Sequence, residues 1–170
     1  MQKIAKFEKV SFEQFYQDYV KNIGGSEEEI QKIYDDLALP QRATKGSAGY
    51  DFYAPSDFVI EPHKEMLIPT GIRAKIADGY VLMLYPRSGL GFKYRMQLNN
   101  TVGVIDSDYY EANNEGHIMA KITNDTNENK TLTLEKGKGM LQGIFMAFGI
   151  TEDDEVEEVR TGGFGSTSKK

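Results

Sequence analysis

The chain contains no cysteine. Disulfides and zinc–thiolate sites are thereby excluded, and a reducing cytoplasm is the natural compartment. Histidine is nearly as scarce, with only His63 and His117. Two isolated imidazoles make no ligand cluster, and both are expected to be ordinary surface or half-buried residues. No run of eighteen apolar residues occurs, and the opening MQKIAKFEKVSFEQF lacks the uninterrupted apolar centre of a signal peptide, so a membrane partner is not expected. Basic charge is also short. The net charge of −6 argues against a nonspecific nucleic-acid surface, which needs a basic stripe. Much of the negative charge sits in two runs, Glu27 to Glu29 and Glu152 to Glu158. The exclusion therefore holds for long DNA or RNA and not for free nucleotides.

Against these absences stand an apolar fraction of 39%, ten tyrosines and nine phenylalanines in 170 residues. That is one domain's worth of chain, long enough to bury a sizeable core. Two short helices are expected first. Ser11 with Gln14 and Ser26 with Glu29 have capping-box spacing. Behind the first cap, Phe12, Phe15, Tyr16, Tyr19 and Ile23 recur at three- and four-residue intervals; Ile30, Ile33, Tyr34 and Leu37 follow the second. Residues 1–38 thus read as an N-terminal helical extension.

From Pro40 the pattern changes to short β-prone runs broken by Gly, Pro, Asn and Asp: YVLMLY (80–85), HIMAKIT (117–123), KTLTLE (130–135) and GIFMAFGI (143–150), with NDTNEN (124–129) as a turn. Many short strands without interleaved helical periodicity predict a mainly β fold, an antiparallel sandwich, jelly roll or barrel over residues 39–150. Residues 151–170 read as an acidic linker followed by a glycine-rich tail.

Five segments stand out: SAGYD (47–51), PRSGLG (86–91), GVIDSDY (103–109), Gln142 in GMLQG, and RTGGFGSTS (160–168). Each alone is ordinary. A glycine-rich turn with serine exposes amide donors to a phosphate, yet most such turns only connect strands. IDSD alone reads as a turn after a buried strand, and Tyr109 as a core tyrosine. The tail lacks the lysine of a P-loop.

Taken together, in order and approximate spacing, these segments resemble the five motifs of the trimeric dUTP diphosphatases (dUTPases) over residues 39–168, and the phage-encoded branch in particular because of the extra helices and an insertion. The resemblance implies a distorted jelly-roll, β-clip domain with an N-terminal helical appendage, assembled as a homotrimer with sites between subunits. It implies Mg²⁺-assisted hydrolysis of dUTP to dUMP and pyrophosphate by water attack on the α-phosphate. Asp106 matches the catalytic aspartate that orients and deprotonates the water. Asp51 matches a position that holds metal-bound water or fixes the site, the ion being carried mainly by substrate phosphates.

By the same resemblance, Arg87, Ser88, Gly89 and Gln142 contact phosphates, and Arg160, Ser166 and Thr167 clamp the far end of the triphosphate from a flexible C-terminal arm. Phe164 stacks over the base, with Gly165 letting the backbone pass close. Asn100, Gly103, Val104 and Ile105 line the uracil pocket in a hairpin, and Tyr109 packs beneath the sugar, excluding a ribose 2′-OH. The alternative that the phage members imply is a nucleotide-switched protein that binds a bacterial pathogenicity-island repressor with little or no catalysis. The related dCTP deaminases are a further enzymatic alternative on the same fold.

Three departures from the family pattern are visible. DYYEANNEGHI places about five extra residues before Gly116, GKGMLQG lacks the usual Gly-Asp-Arg, and RTGGF is one residue shorter than the common form.

Overall fold

Strands dominate from Gln41 onward, and every pairing among the described residues is antiparallel. The structure is a computed structural model, and it describes residues 2–157. The chain runs through β1 (Ala5–Lys9), α1 (Phe12–Asn22), α2 (Glu27–Asp35), β2 (Gln41–Arg42), β3 (Tyr50–Tyr53), β4 (Phe58–Ile60), β5 (Glu65–Pro69) and β6 (Ile72–Ile76). It continues through β7 (Tyr80–Pro86), α3 (Ser88–Tyr94), β8 (Met96–Leu98), β9 (Gly103–Ile105), a 3-10 helix (Ser107–Glu111), β10 (Met119–Asn124), β11 (Leu132–Leu134) and β12 (Gly139–Ala147).

Among the described residues the strands form four sheets: a five-stranded one in the order β2-β3-β12-β7-β9, a three-stranded one β5-β10-β8, and the pairs β1-β6 and β11-β4. Alternation explains their facing. In β6, Ile72, Ala74 and Ile76 turn inward while Lys75 faces water; β11 buries Leu132 and Leu134 about an exposed Thr133. The fold is mainly β, as the sequence predicts.

The N-terminal region holds more than two helices. β1, which the sequence reading does not include, pairs with β6 more than sixty residues away, and Phe7 from β1 packs its ring against Tyr50, Phe52 and Phe145 at centroid distances of 5.3–5.5 Å. Both helices begin at their expected serines. Ser26 and Glu29 form a full capping box. Ser11 does not: its hydroxyl accepts the Gln14 N–H at 3.1 Å, but the Gln14 amide turns to Asp18, and the Ser11 N–H donates to Glu115 at 2.7 Å instead. A carboxylate from across the chain is the stronger, charge-assisted acceptor, so it displaces the local amide.

Phe15, Tyr19 and Ile30 are buried in the same cluster as Ile68, Ile72 and Phe52. The helices therefore contribute to the common core. Among the described residues no helix is long and apolar enough to cross a membrane.

Candidate active site

The register of β3, β12 and β7 decides which side chains meet at one end of the five-stranded sheet. Gln142 on β12 stands opposite Asp51 on β3 and opposite Tyr85 on β7. Arg87 follows the last residue of β7, and its Nε lies 3.2 Å from Asp51 Oδ1. The Gln142 amide donates to the Pro86 carbonyl at 3.5 Å. Three strands thus deliver a carboxylate, a guanidinium and an amide to one cleft of about 390 Å³, which Ser47, Gly49 and Ser88 also line.

Two glycines keep this cleft open. A Cβ on Gly139 would lie 2.6 Å from Arg87 Nη1, and one on Gly49 would lie 2.8 Å from Gln142 Oε1. The Asp51 side chain is 18% exposed and that of Arg87 44%. A pair so open to water adds little stability. Its consequence is orientation: the carboxylate holds the guanidinium fork over the cleft.

Ser88 and Gly89 open α3 on the exposed rim, and no side chain caps that first turn. A guanidinium, a hydroxyl, peptide N–H groups and an amide facing one cleft suit the oxygens of a phosphate chain. Among the described residues no group of three or more His, Cys, Asp or Glu could hold a metal ion. Asp51 is the carboxylate lining this cleft. That donor set fits an ion whose ligands are mostly phosphate and water oxygens, and it does not fit a protein cage.

The other expected residues lie elsewhere. β9 is the edge strand of the five-stranded sheet, with Gly103 opposite Leu84 and Ile105 opposite Leu82. One row of its peptide groups is therefore not taken by a sheet partner among the described residues. Val104 is 52% exposed while Ile105 is buried. Asn100 is exposed in the turn before β9. β8 and β9, on either side of this turn, do not pair with each other: β8 pairs with β10, and β9 with β7 in a different sheet. The two strands flanking the turn obey different cores.

Asp106 is half-buried just past Ile105, in extended backbone. Continuing the β7–β9 register puts it beside Val81, whereas Arg87 is six residues further along β7. At about 3.3 Å per residue that is roughly 20 Å. A side chain that activates a water must come within hydrogen-bond reach of the phosphorus being attacked. One chain therefore does not bring Asp106 and the Arg87 cleft onto the same phosphate.

Tyr109 is 3% exposed and donates its hydroxyl to the His117 carbonyl at 2.8 Å. His117 is wholly buried, where a surface or half-buried residue was expected, because Asp18 and the Gly71 N–H satisfy both ring nitrogens. Arg160, Phe164, Gly165, Ser166 and Thr167 lie outside the described residues. The sequence reading assigned only Asp51 within GSAGYD. Ser47 and Gly49 also line the cleft, and the compact run of small residues before Asp51 was the available signal.

Comparison with known proteins places the chain in a family. The sequence model of the dUTPase family matches residues 35–168. A deoxyuridine 5′-triphosphate nucleotidohydrolase of Lactococcus lactis is 45% identical over 134 residues, covering 77% of this chain and 88% of the relative. The crystal structure of a dUTPase from Streptococcus mutans superposes with a TM-score of 0.65 at 37% identity, covering 86% of this chain and 98% of that one. The dUTPase of Staphylococcus bacteriophage 80alpha, described as controlling transfer of virulence genes, has a TM-score of 0.64 at 20% identity over 94% of this chain and all of that one. At that identity the likeness shows the fold alone and carries no partner over.

Proposed function

The chain belongs to the dUTPase family, and from that premise we propose that it hydrolyses dUTP to dUMP and pyrophosphate. The convergence of Asp51, Arg87, Ser88 and Gln142 on one cleft carries the reading. Arg87, Ser88, Gly89 and Gln142 hold phosphate oxygens, and Asp106 takes the proton of the attacking water. The water oxygen bonds to the α-phosphorus as the bond to the α,β-bridging oxygen breaks, and pyrophosphate leaves. Mg²⁺, held by the phosphates with Asp51 alongside, would neutralise charge on the triphosphate.

The separation of Asp106 from the Arg87 cleft supports a site shared between chains, with the cleft of one subunit facing Asp106 of another in a homotrimer of distorted jelly rolls. The free edge of β9 suits recognition of the uracil edge by peptide groups, with Asn100, Gly103, Val104 and Ile105 around the base and Tyr109 forming the floor of the sugar site. A pocket that pairs buried polar groups rejects a mismatched base by about 10⁴-fold or more. In this reading residues 1–38 extend the core of residues 39–150. Residues 151–170 supply the closing arm, with Arg160, Ser166 and Thr167 on phosphate and Phe164 and Gly165 over the base.

The test is pyrophosphate release from dUTP in the presence of magnesium. Wild type releases it and Asp106→Asn does not. Ammonia release from dCTP in its place would overturn the reading in favour of a deaminase.

A further inference from the structure

Away from the cleft, the loop that follows Asp106 is tied down at several points. Gly116 closes it at φ +70, where a Cβ would lie 2.7 Å from the Tyr109 carbonyl oxygen and 2.8 Å from Tyr110 Cα. Residues 110–115 thus return onto the backbone of Tyr109. The Tyr109 hydroxyl donates to the His117 carbonyl and accepts from Asn114 Nδ2, each at 2.8 Å. Where the Tyr109 ring sits is therefore set by the main chain of His117.

His117 is held from the other side. The Gly71 N–H donates to its Nε2 at 2.8 Å. A peptide N–H can only donate, so the ring hydrogen resides on Nδ1 and is directed at Asp18 Oδ2, 2.5 Å away. Asp18 belongs to α1 and is braced by the Gln14 amide at 2.8 Å. An unbroken chain of contacts links α1 to Tyr109, from the half-buried Asp18 through the fully buried imidazole.

We propose that Asp18 and His117 are positioning residues for sugar selection: Asp18 fixes the imidazole, and the His117 carbonyl fixes Tyr109 against the deoxyribose. The inference rests on the reading of Tyr109 as the floor of the sugar site. Exclusion of a 2′-OH is steric, and a steric wall discriminates only when it cannot retreat; close-packed neighbours and satisfied buried hydrogen bonds supply that stiffness. Two further ties join the same regions, Ser11 to Glu115 and Glu8 to Tyr110. The first runs through Ser11 and not through Asp18 or the imidazole, which makes Ser11 a control for general loosening of α1.

The experiment compares kcat/KM for dUTP with kcat/KM for UTP in the full chain, read by pyrophosphate release. In Asp18→Ala the ratio falls about 10-fold or more. In Asp18→Asn, whose amide oxygen still accepts the Nδ1 hydrogen, most of it returns. Ser11→Ala lowers the melting temperature by about 2–4 °C and leaves the ratio at the wild-type value. An unchanged ratio in folded Asp18→Ala, or an equal fall in Ser11→Ala, overturns the proposal. Should Asp18→Ala not fold, Asp18→Glu displaces the carboxylate by one methylene, and a ratio unmoved in that variant overturns it equally. Failure of wild type to cleave dUTP would instead remove the functional reading beneath it.

Discussion

Asp106 follows Ile105, which pairs with Leu82 near the start of β7, whereas Arg87 lies just past Pro86 at the strand's other end. The shared site proposed above predicts complementation. Asp106→Asn and Arg87→Ala are each inactive alone. Mixed at equal amounts and allowed to exchange subunits, they regain about one quarter of wild-type activity, because one junction in four joins an intact cleft to an intact aspartate. Denaturing and refolding the mixture, then measuring pyrophosphate release, checks this. Recovery no greater than the sum of the separate variants would place the whole site within one chain.

The two glycines of β12 predict opposite phenotypes. A methyl at Gly139 meets the Arg87 side chain at 2.6 Å, the far end of a partly exposed group that can move away. Gly139→Ala should raise KM for dUTP about tenfold by displacing the guanidinium, with little loss of stability. A methyl at Gly143 meets Leu82 at 2.8 Å and Phe52 at 2.9 Å, both in the core. Gly143→Ala should cost about 1–3 kcal/mol of stability through overpacking. Thermal melts alongside steady-state kinetics separate the two.

How far these relations were legible in the sequence depended on how local they are. YVLMLY, HIMAKIT and KTLTLE fall on β7, β10 and β11 because their apolar pattern is set by their own side chains. GIFMAFGI does not reach the true start of β12 at Gly139, since pairing with β3 extends the strand through residues with no β pattern of their own. β1 escaped because AKFEK becomes a strand only when Ile72–Ile76 offers an edge. The cleft was legible as motifs, but the gap between Asp106 and Arg87 was not, because it is a property of register. Asp18–His117 joins residues ninety-nine apart in sequence, and nothing near either residue announces the other.

Acid should loosen the N-terminal region first. A hydrogen bond from Lys6, and next one from Tyr110, holds the Glu8 carboxyl down at about 2. Burial raises Asp18 and Glu115, but hydrogen bonds from His117 and Gln14 to the first, and from Ser11 to the second, outweigh it and leave both below their ordinary values. A depressed carboxyl contributes stability in full above its unfolded value and loses it as pH falls toward the folded one. For Glu8 that window runs from 4.5 down to about 2. The urea midpoint should therefore decline as pH falls through this range, and Glu8→Gln should flatten the decline. An equal slope in the variant would remove Glu8 as a contributor.

Left-handed backbone at two positions gives a prediction of sign. Gly116 has φ +70 with the Tyr109 carbonyl oxygen in the space a side chain would occupy, so Gly116→Ala adds strain and a contact against backbone that cannot step aside. His63 is exposed and also left-handed, at φ 60, and pays the steric cost of its own Cβ. His63→Gly relieves that cost by about 1 kcal/mol, part of which the greater freedom of glycine in the unfolded chain takes back. Gly116→Ala should lower the unfolding free energy by about 2 kcal/mol or more, read as a lower denaturant midpoint at unchanged m-value, while His63→Gly should leave that midpoint level or raise it. A destabilised His63→Gly would mean that the side chain, not the backbone angle, governs that turn.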